Sequence, residues 1–335
     1  MTSSDITALF DRMATLHVGV IGDFALDLYY SLNTETGERS IETGQVVFWG
    51  SRPRSSLGAA GNVVQNLTAL GIRNISVVGC IGDDLYGREM RSLFEHQGVR
   101  TQHLVAVTDG WDTCVYTKPM GGNRELNRVD FGTHNQLPDT LFADLLRRLE
   151  QALPGLDVLI INQQFPNPLL TEDRVLRLND LIGRYAQLRV VADMRQVGRQ
   201  IRGAILKVNT AELARFLGVP LPGLPDLDWC VQHGNLLSRQ LQGPLLITRG
   251  EHGIVFLDGR DVYRIDGLPL TGEVDTVGAG DTVVAAFAAG IGAGAAPAQA
   301  LEIANLAAAV TVRKLHQTGT ATPAEIMALQ RTYSV

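Results

Sequence analysis

The feature that most limits the folds open to this chain is a regular alternation of short apolar runs with segments of helical period. β-Branched runs recur near 17–23 ("HVGVIGD"), 75–80, 157–162, 189–193, 204–209 and 244–248, with helix-period segments at 61–70, 85–97, 139–152, 170–186 and 226–241 between them. Such alternation implies an α/β fold: a central, mostly parallel sheet flanked by helices on both faces. A chain of 335 residues is long enough to bury a full core of that kind. In these sheets ligands sit beyond the carboxyl ends of the strands. That rule selects Asp23, Asn162, Asp193, Asn209 and Thr248, each at or just past the end of a run, although a polar residue there can equally be a helix cap.

Two stretches break the alternation. Residues 28–57 and 111–131 carry short alternating patterns with turn residues, which predict antiparallel strands outside the main sheet. A small sheet attached by several crossings would form a lid on a single domain spanning 1–335. Trp49 and Trp111 fall in these stretches and are candidates for lid core, dimer contact or sugar platform, in that order.

Charge and composition remove several function classes. A net charge of −6 argues against a nucleic-acid surface. The positive charge is almost all arginine, since Lys118, Lys207 and Lys314 are the three lysines, so a phosphate-holding cation is expected to be Arg. Cys80, Cys114 and Cys230 are widely spaced, which predicts free thiols and a cytoplasmic setting. The opening "MTSSDITALFDRM" reads as a short amphipathic helix with Ile6, Leu9, Phe10 and Met13 on one face rather than a signal peptide. The apolar segment 283–298 is too short and too interrupted by glycine and proline for a membrane span, and reads as a buried helix followed by a turn.

The chemistry is concentrated in "GEVDTVGAGDTVVAAF", residues 272–287. No Gly-Lys-Ser/Thr follows, so it is not a Walker loop. Gly278 and Gly280 give G-x-G, but Val283 stands where a dinucleotide fingerprint needs its third glycine. One reading is a glycine turn capped by Asp281 at the start of a helix over 281–293. The other is an anion site: the N–H groups of Ala279, Gly280 and Asp281 would be unpaired at a helix start, and small residues would let an oxygen-rich group come close. A carboxylate in that turn suits a hydroxyl that attacks the anion, which is the arrangement of phosphoryl transfer.

"DTVGAGD" resembles the D-T-x-G-A-G-D signature of the PfkB (ribokinase-like) carbohydrate kinases. Further stretches are similar to the motifs of that family in the same order: "VIGDFALD" with Asp23 and Asp27, "LGAAGNVVQNLTALG" with Gly58 and Asn62, "IGDDLYG", "NTAE" with Asn209 and Glu212, and "TRGEHG" with Thr248, Gly250 and Gly253. The resemblance runs over nearly the whole chain. It implies a ribokinase-like fold with a small β-sheet lid and an ATP-dependent kinase of a sugar or sugar phosphate. Asp281 would be the base, with Gly278, Ala279 and Gly280 as the anion hole. Asp23, Asp27, Gly58 and Asn62 would hold the sugar, and Asn209, Thr248, Gly250, Gly253 and Arg195 the nucleotide. Glu212 and Asn209 would organise Mg²⁺, and Asp275 with the turn 316–322 is the place expected for a monovalent cation such as K⁺. A homodimer through the lid is expected, since exposed strand edges invite pairing.

Within the family, "RELNRVDF" (124–131), "VVADMRQ…IRGAILKVNTAEL" and "ANLAAAVTVRKLHQTGTATPAEI" resemble the heptose-phosphate kinase group. The chain departs from that group at Asp193-Met194-Arg195, where the group has D-P-K, at Gly58-Ala59, and in the lid stretch "GERSIETGQVVFWGSRPR". A nucleoside or other small alcohol is the alternative acceptor, and a non-catalytic nucleotide- or sugar-binding regulator the alternative class.

Overall fold

The structure is a computed structural model that describes every residue except 123, 316, 334 and 335; the expectation for the turn 316–322 therefore lies partly outside the described residues. The chain opens on α1 (Ser3–Met13), which buries Ile6, Leu9, Phe10 and Met13 and is closed at its start by a Thr2–Asp5 capping box. Strand β1 (His17–Gly22) leads into β2 (Phe24–Asn33) with only Asp23 between them, and β2 pairs back with β3 (Trp49–Ala59). Then come α2 (Ala60–Ala69), β4 (Asn74–Gly82), α3 (Leu85–His96), β5 (Arg100–Val107) and β6 (Cys114–Gly121), with the short strands β7 (Arg124–Glu125) and β8 (Asp130–Phe131). The next units are α4 (Asp139–Ala152), β9 (Val158–Gln163), α5 (Glu172–Ile182), β10 (Arg189–Met194), β11 (Ile205–Asn209), α6 (Thr210–Leu217), α7 (Leu227–Leu241) and β12 (Leu245–Thr248). A hairpin of β13 (Ile254–Asp258) and β14 (Asp261–Ile265) precedes α8 (Ala279–Gly292), α9 (Pro297–Thr311) and α10 (Pro323–Tyr333).

Nine strands form the main sheet in the order β14-β13-β12-β11-β10-β9-β1-β4-β5, parallel from β12 to β5 and antiparallel at the β12-β13-β14 end. Chain order reverses at β1, between β9 and β4, so this α/β sheet has its topological switch point there. One face is covered by α1, α2, α8 and α9, and the other by α4, α5 and α7. Helix α8 buries Thr282 through Gly290 without a polar stripe, as expected of a helix packed on all sides. Burying Val283, Val284 and Phe287 there contributes about 1.5–3 kcal/mol each before entropy is counted. The apolar segment 283–298 is thus a buried helix, a turn, and the start of α9. Among the described residues no helix is long and apolar enough to cross a membrane.

The second sheet has the order β3-β2-β6-β7, with β8 also on β6. Its central pair, β2 with β6, is parallel, whereas the sequence pattern suggested antiparallel strands. The reason lies in the main sheet. Strand β2 continues from the carboxyl end of β1 and β6 follows the carboxyl end of β5, so both leave the same edge of a parallel sheet in the same direction. The three cysteines are free and buried, as their spacing predicted.

Candidate active site

The first turn of α8 organises the site. Gly278 caps the helix in the left-handed region (φ 78°), and a Cβ on it would lie 2.7 Å from Asn62 Nδ2, so a side chain is excluded on both counts. Asp281 is therefore not the cap: it is the third residue of a helix that starts at Ala279. The N–H of Ala279 bonds the Thr276 carbonyl at 3.2 Å and is used up by the turn. Among the described residues no acceptor meets the N–H of Gly278, Gly280 or Asp281. The available donors are therefore Gly278, Gly280 and Asp281 rather than a set containing Ala279.

Asp281 accepts a 2.7 Å hydrogen bond from Asn62 Nδ2. Asn62 is expected from sequence to hold sugar, but its buried amide is turned onto this carboxylate. The bond is propped from behind: Asn66 Nδ2 donates to Asn62 Oδ1 at 3.2 Å, Thr282 Oγ1 donates to Asn66 Oδ1 at 2.8 Å, and Thr282 Oγ1 meets Thr311 Oγ1 at 3.2 Å. Burial pushes the Asp281 carboxyl up to about 6 and the charge of Asp193 adds to this, while the Asn62 bond and the cations Lys207 and Arg195 oppose it.

Lys207 and Asp193 form a buried ion pair beneath that turn, with Nζ 3.3 and 3.2 Å from the two carboxylate oxygens. A Cβ on Gly280 would lie 3.1 Å from Lys207 Nζ, so the bare glycine leaves the ammonium its space. Burial alone favours the neutral amine, but Asp193, Glu212 and Asp281 outweigh it and hold Lys207 above the usual lysine range.

Asp27 lies on β2 against Gly58, whose absent Cβ would stand 3.1 Å from Asp27 Oδ1. Its Oδ2 accepts from Thr318 Oγ1 at 2.9 Å and pairs with Lys118 Nζ at 3.4 Å. Lys118 also donates to Tyr29 Oη at 3.2 Å and lies over the Tyr29 ring, which Arg54 approaches as well. Strands β2 and β6 of the second sheet thereby meet the loop between α9 and α10.

Asp23 is a correction. Its carboxylate is buried and receives the backbone N–H groups of Gln164, Phe165 and Leu169 at 2.8, 2.9 and 2.8 Å. It ties down the loop after β9, with both carboxylate oxygens buried and spent on backbone donors. Burial lifts it to about 6 against those three hydrogen bonds.

Asn209 and Glu212 cap α6 reciprocally: Asn209 Oδ1 accepts from the Glu212 N–H and Glu212 Oε2 from the Asn209 N–H, both at 2.8 Å. Thr248 is the register partner of Asn209 on the neighbouring strand. Just beyond it Gly250 and Gly253 take positive φ, and a Cβ on Gly253 would strike the Ile265 carbonyl. Arg195, one residue past β10, bears its charge near both Asp281 and Tyr116. Asp275 donates its N–H to the Val312 carbonyl at 2.7 Å and accepts from the Val277 N–H at 3.0 Å, which docks this segment on the end of α9. Asp281, Gly278, Gly280 and Asn62 thus converge directly, whereas Asn209, Glu212, Thr248, Gly250 and Gly253 lie at the carboxyl ends of β11 and β12. Sequence reasoning missed Lys207, Lys118, Asn66 and Thr282, and named Thr318 only as part of the turn 316–322 expected beside a monovalent cation. The i, i+4 pair Asn62/Asn66 among the apolar residues of the buried face of α2 is the signal that could have found one of them.

A family profile for pfkB family carbohydrate kinases matches residues 50–325. The chain is 31% identical over 329 residues to bifunctional protein HldE of Trichlorobacter lovleyi, covering 96% of this chain and 64% of that protein. It is 32% identical over 310 residues to HldE of Magnetococcus marinus, covering 89% of this chain and 61% of that one. The chain therefore spans less than two thirds of the length of these curated relatives. In fold it is similar to phosphofructokinase-2 from Escherichia coli in complex with potassium (TM-score 0.77, 16% identity, 96% of this chain and 100% of that one). It is also similar to Arabidopsis thaliana ribokinase complexed with ribose and ATP (TM-score 0.70, 18% identity, 94% and 98%).

Proposed function

The chain belongs to the pfkB family of carbohydrate kinases and is a sugar kinase, and on that premise we propose that it transfers the γ-phosphoryl group of ATP to a hydroxyl of a sugar phosphate of the heptose 7-phosphate type. The observation that carries the reaction is the Asn62–Asp281 pair at the start of α8, beside the N–H groups of Gly278, Gly280 and Asp281. Asp281 takes the proton of the acceptor hydroxyl as its oxygen bonds to the γ-phosphorus and the bond to ADP breaks. The three N–H groups and the helix dipole meet the charge spread over the transferred oxygens. Asn62 keeps the carboxylate ionised and aimed.

A phosphorylated acceptor is supported by the lid, where the buried Lys118 and the Arg54 guanidinium flank Tyr29 beside Asp27. The similarity to HldE proteins points the same way. Asp27 and Gly58 are proposed to bind the sugar, and Thr248, Gly250, Gly253 and Arg195 the nucleotide.

Mg²⁺ binds through few protein oxygens and several waters when phosphates supply the rest. The Asn209–Glu212 end of β11 fits that demand, since its oxygens are partly engaged in the cap and would reach a hydrated ion through water. When bound, the ion supplies charge neutralisation across the phosphates. A monovalent cation, K⁺ first, is proposed beside Asp275. A homodimer through the lid is proposed from the exposed Phe48 and Trp49 and the outer edge of β3; sedimentation at several concentrations tests it.

The testing experiment is ATP consumption over free sugars, sugar phosphates and nucleosides with Mg²⁺ and K⁺. Turnover on heptose 7-phosphate, lowered by about 10²-fold or more in Asp281→Asn, is the expected result. Turnover on free sugars alone would overturn the acceptor class, and ATP binding without turnover on any of them would overturn the reaction.

A further inference from the structure

A row of polar side chains crosses the sheet under α8. Asn162, Asp193 and Lys207 are successive in-register partners on β9, β10 and β11, so they project from one face. Two residues back along their strands, Ile160, Val191 and Ile205 on that face join the core that contains α8. Buried positions of parallel strands are ordinarily apolar, and an ion pair there is no more stabilising than a hydrophobic pair of similar volume. Folding therefore does not account for Asp193 and Lys207. The row also holds an unspent group: Asn162 is fully buried, and among the described residues neither its amide nitrogen nor its oxygen has a partner. Lys207 Nζ has the two Asp193 oxygens as its hydrogen-bond acceptors among the described residues, leaving a donor of the ammonium over. That ammonium lies directly under Gly280, where no side chain intervenes.

We propose that Lys207 is a catalytic residue whose ammonium contacts the phosphoryl group in transfer from below the first turn of α8, with Asp193 as the positioning residue that holds it there. The proposal rests on the reading that the phosphoryl group passes the start of α8, and it adds a cation to a donor set otherwise made of backbone N–H groups. A lysine serves this role as a point charge on a flexible stem, and the pairing with Asp193 removes that flexibility in advance. A charge aimed at the transferring group acts more strongly in the transition state than on bound ADP.

The test compares Lys207→Met, Lys207→Arg and Asp193→Asn with the unaltered protein. Binding of ADP alone and of ADP with Mg²⁺ and aluminium fluoride is measured by calorimetry, and kcat and KM with heptose 7-phosphate as acceptor. Lys207→Met is expected to leave ADP affinity within about threefold, to remove most of the gain from aluminium fluoride, and to lower kcat by about 10²–10³-fold. Lys207→Arg should recover part of that gain. Equal loss of both affinities, or an unchanged kcat in a folded Lys207→Met, would overturn the proposal. If Lys207→Met does not fold, Asp193→Asn decides: retained aluminium fluoride affinity with an unshifted pH profile overturns it, and loss of that affinity with ADP binding intact supports it. Failure of the parent reading is distinguishable, because then Asp281→Asn would keep full activity or the unaltered protein would turn over none of the acceptors.

Discussion

Asn62 Nδ2 lies 2.7 Å from Asp281 Oδ2, a hydrogen bond between α2 and α8 spanning 219 residues of chain. It sets both the aim and the basicity of the carboxylate, because a donor to the ionised form stabilises that form. Removing it in Asn62→Ala should raise the Asp281 pKa above about 6. The groups acting on that carboxylate are Asn62 from α2, Asp193 and Arg195 from β10 and its end, and Lys207 from β11. A general base works when deprotonated, so activity of the unaltered protein should rise with pH through about 6, and the rising limb of Asn62→Ala should move to higher pH. The measurement is kcat/KM against pH from 5 to 8.5; coincident limbs would show that the bond does not tune the base.

Asp281→Asn should lower kcat by about 10²–10⁴-fold with nucleotide affinity retained. It should also stabilise the protein near neutrality. A carboxyl whose folded pKa is raised from 3.8 to about 6 binds more protons folded than unfolded across that window, so its contribution to stability falls as pH rises through it. Melting curves of both proteins at pH 4 and pH 7.5 check this: the advantage of the variant should be larger at pH 7.5.

Asp23→Ala should act on stability rather than on sugar affinity. The change leaves the N–H groups of Gln164, Phe165 and Leu169, the last two buried, without their acceptor. At about 1–3 kcal/mol for each buried orphan, the loss should be about 2 kcal/mol or more. Urea unfolding measures it, and KM for the acceptor should change less than about threefold under conditions where the variant is folded.

Gly278→Ala combines a backbone penalty with a collision. The residue sits at φ 78°, and the new Cβ would meet Asn62 Nδ2 at 2.7 Å. Stability should fall by about 1–2 kcal/mol, and kcat should fall by at least the amount seen for Asn62→Ala, because the same hydrogen bond is displaced. A variant with full kcat would show that the amide can move aside without consequence.

Lys118→Met should raise KM for a phosphorylated acceptor by about tenfold or more while leaving KM for ATP unchanged, since Lys118 lies on the lid with Asp27 and Tyr29. Initial-rate kinetics with each substrate varied in turn separate the two constants.

The local sequence already determined the layered α/β architecture, the presence of strands outside the main sheet, the buried α8 and Asp281 at its start. Each of these is written within a few neighbouring residues as a period of apolar side chains, a turn glycine or a helix boundary. The tertiary structure decided which polar residues face which. Asp23 and Asp27 stand four apart in one motif, yet one is spent on the backbone of a loop 140 residues away and the other joins Thr318 and Lys118. Asn209 and Glu212 proved to cap each other, and Lys207 meets Asp193 only because β10 and β11 are neighbours in this register. Strand order and register come from the packing of the whole sheet against its helices, so the partner of a polar side chain at a strand end is a long-range outcome that no local pattern encodes.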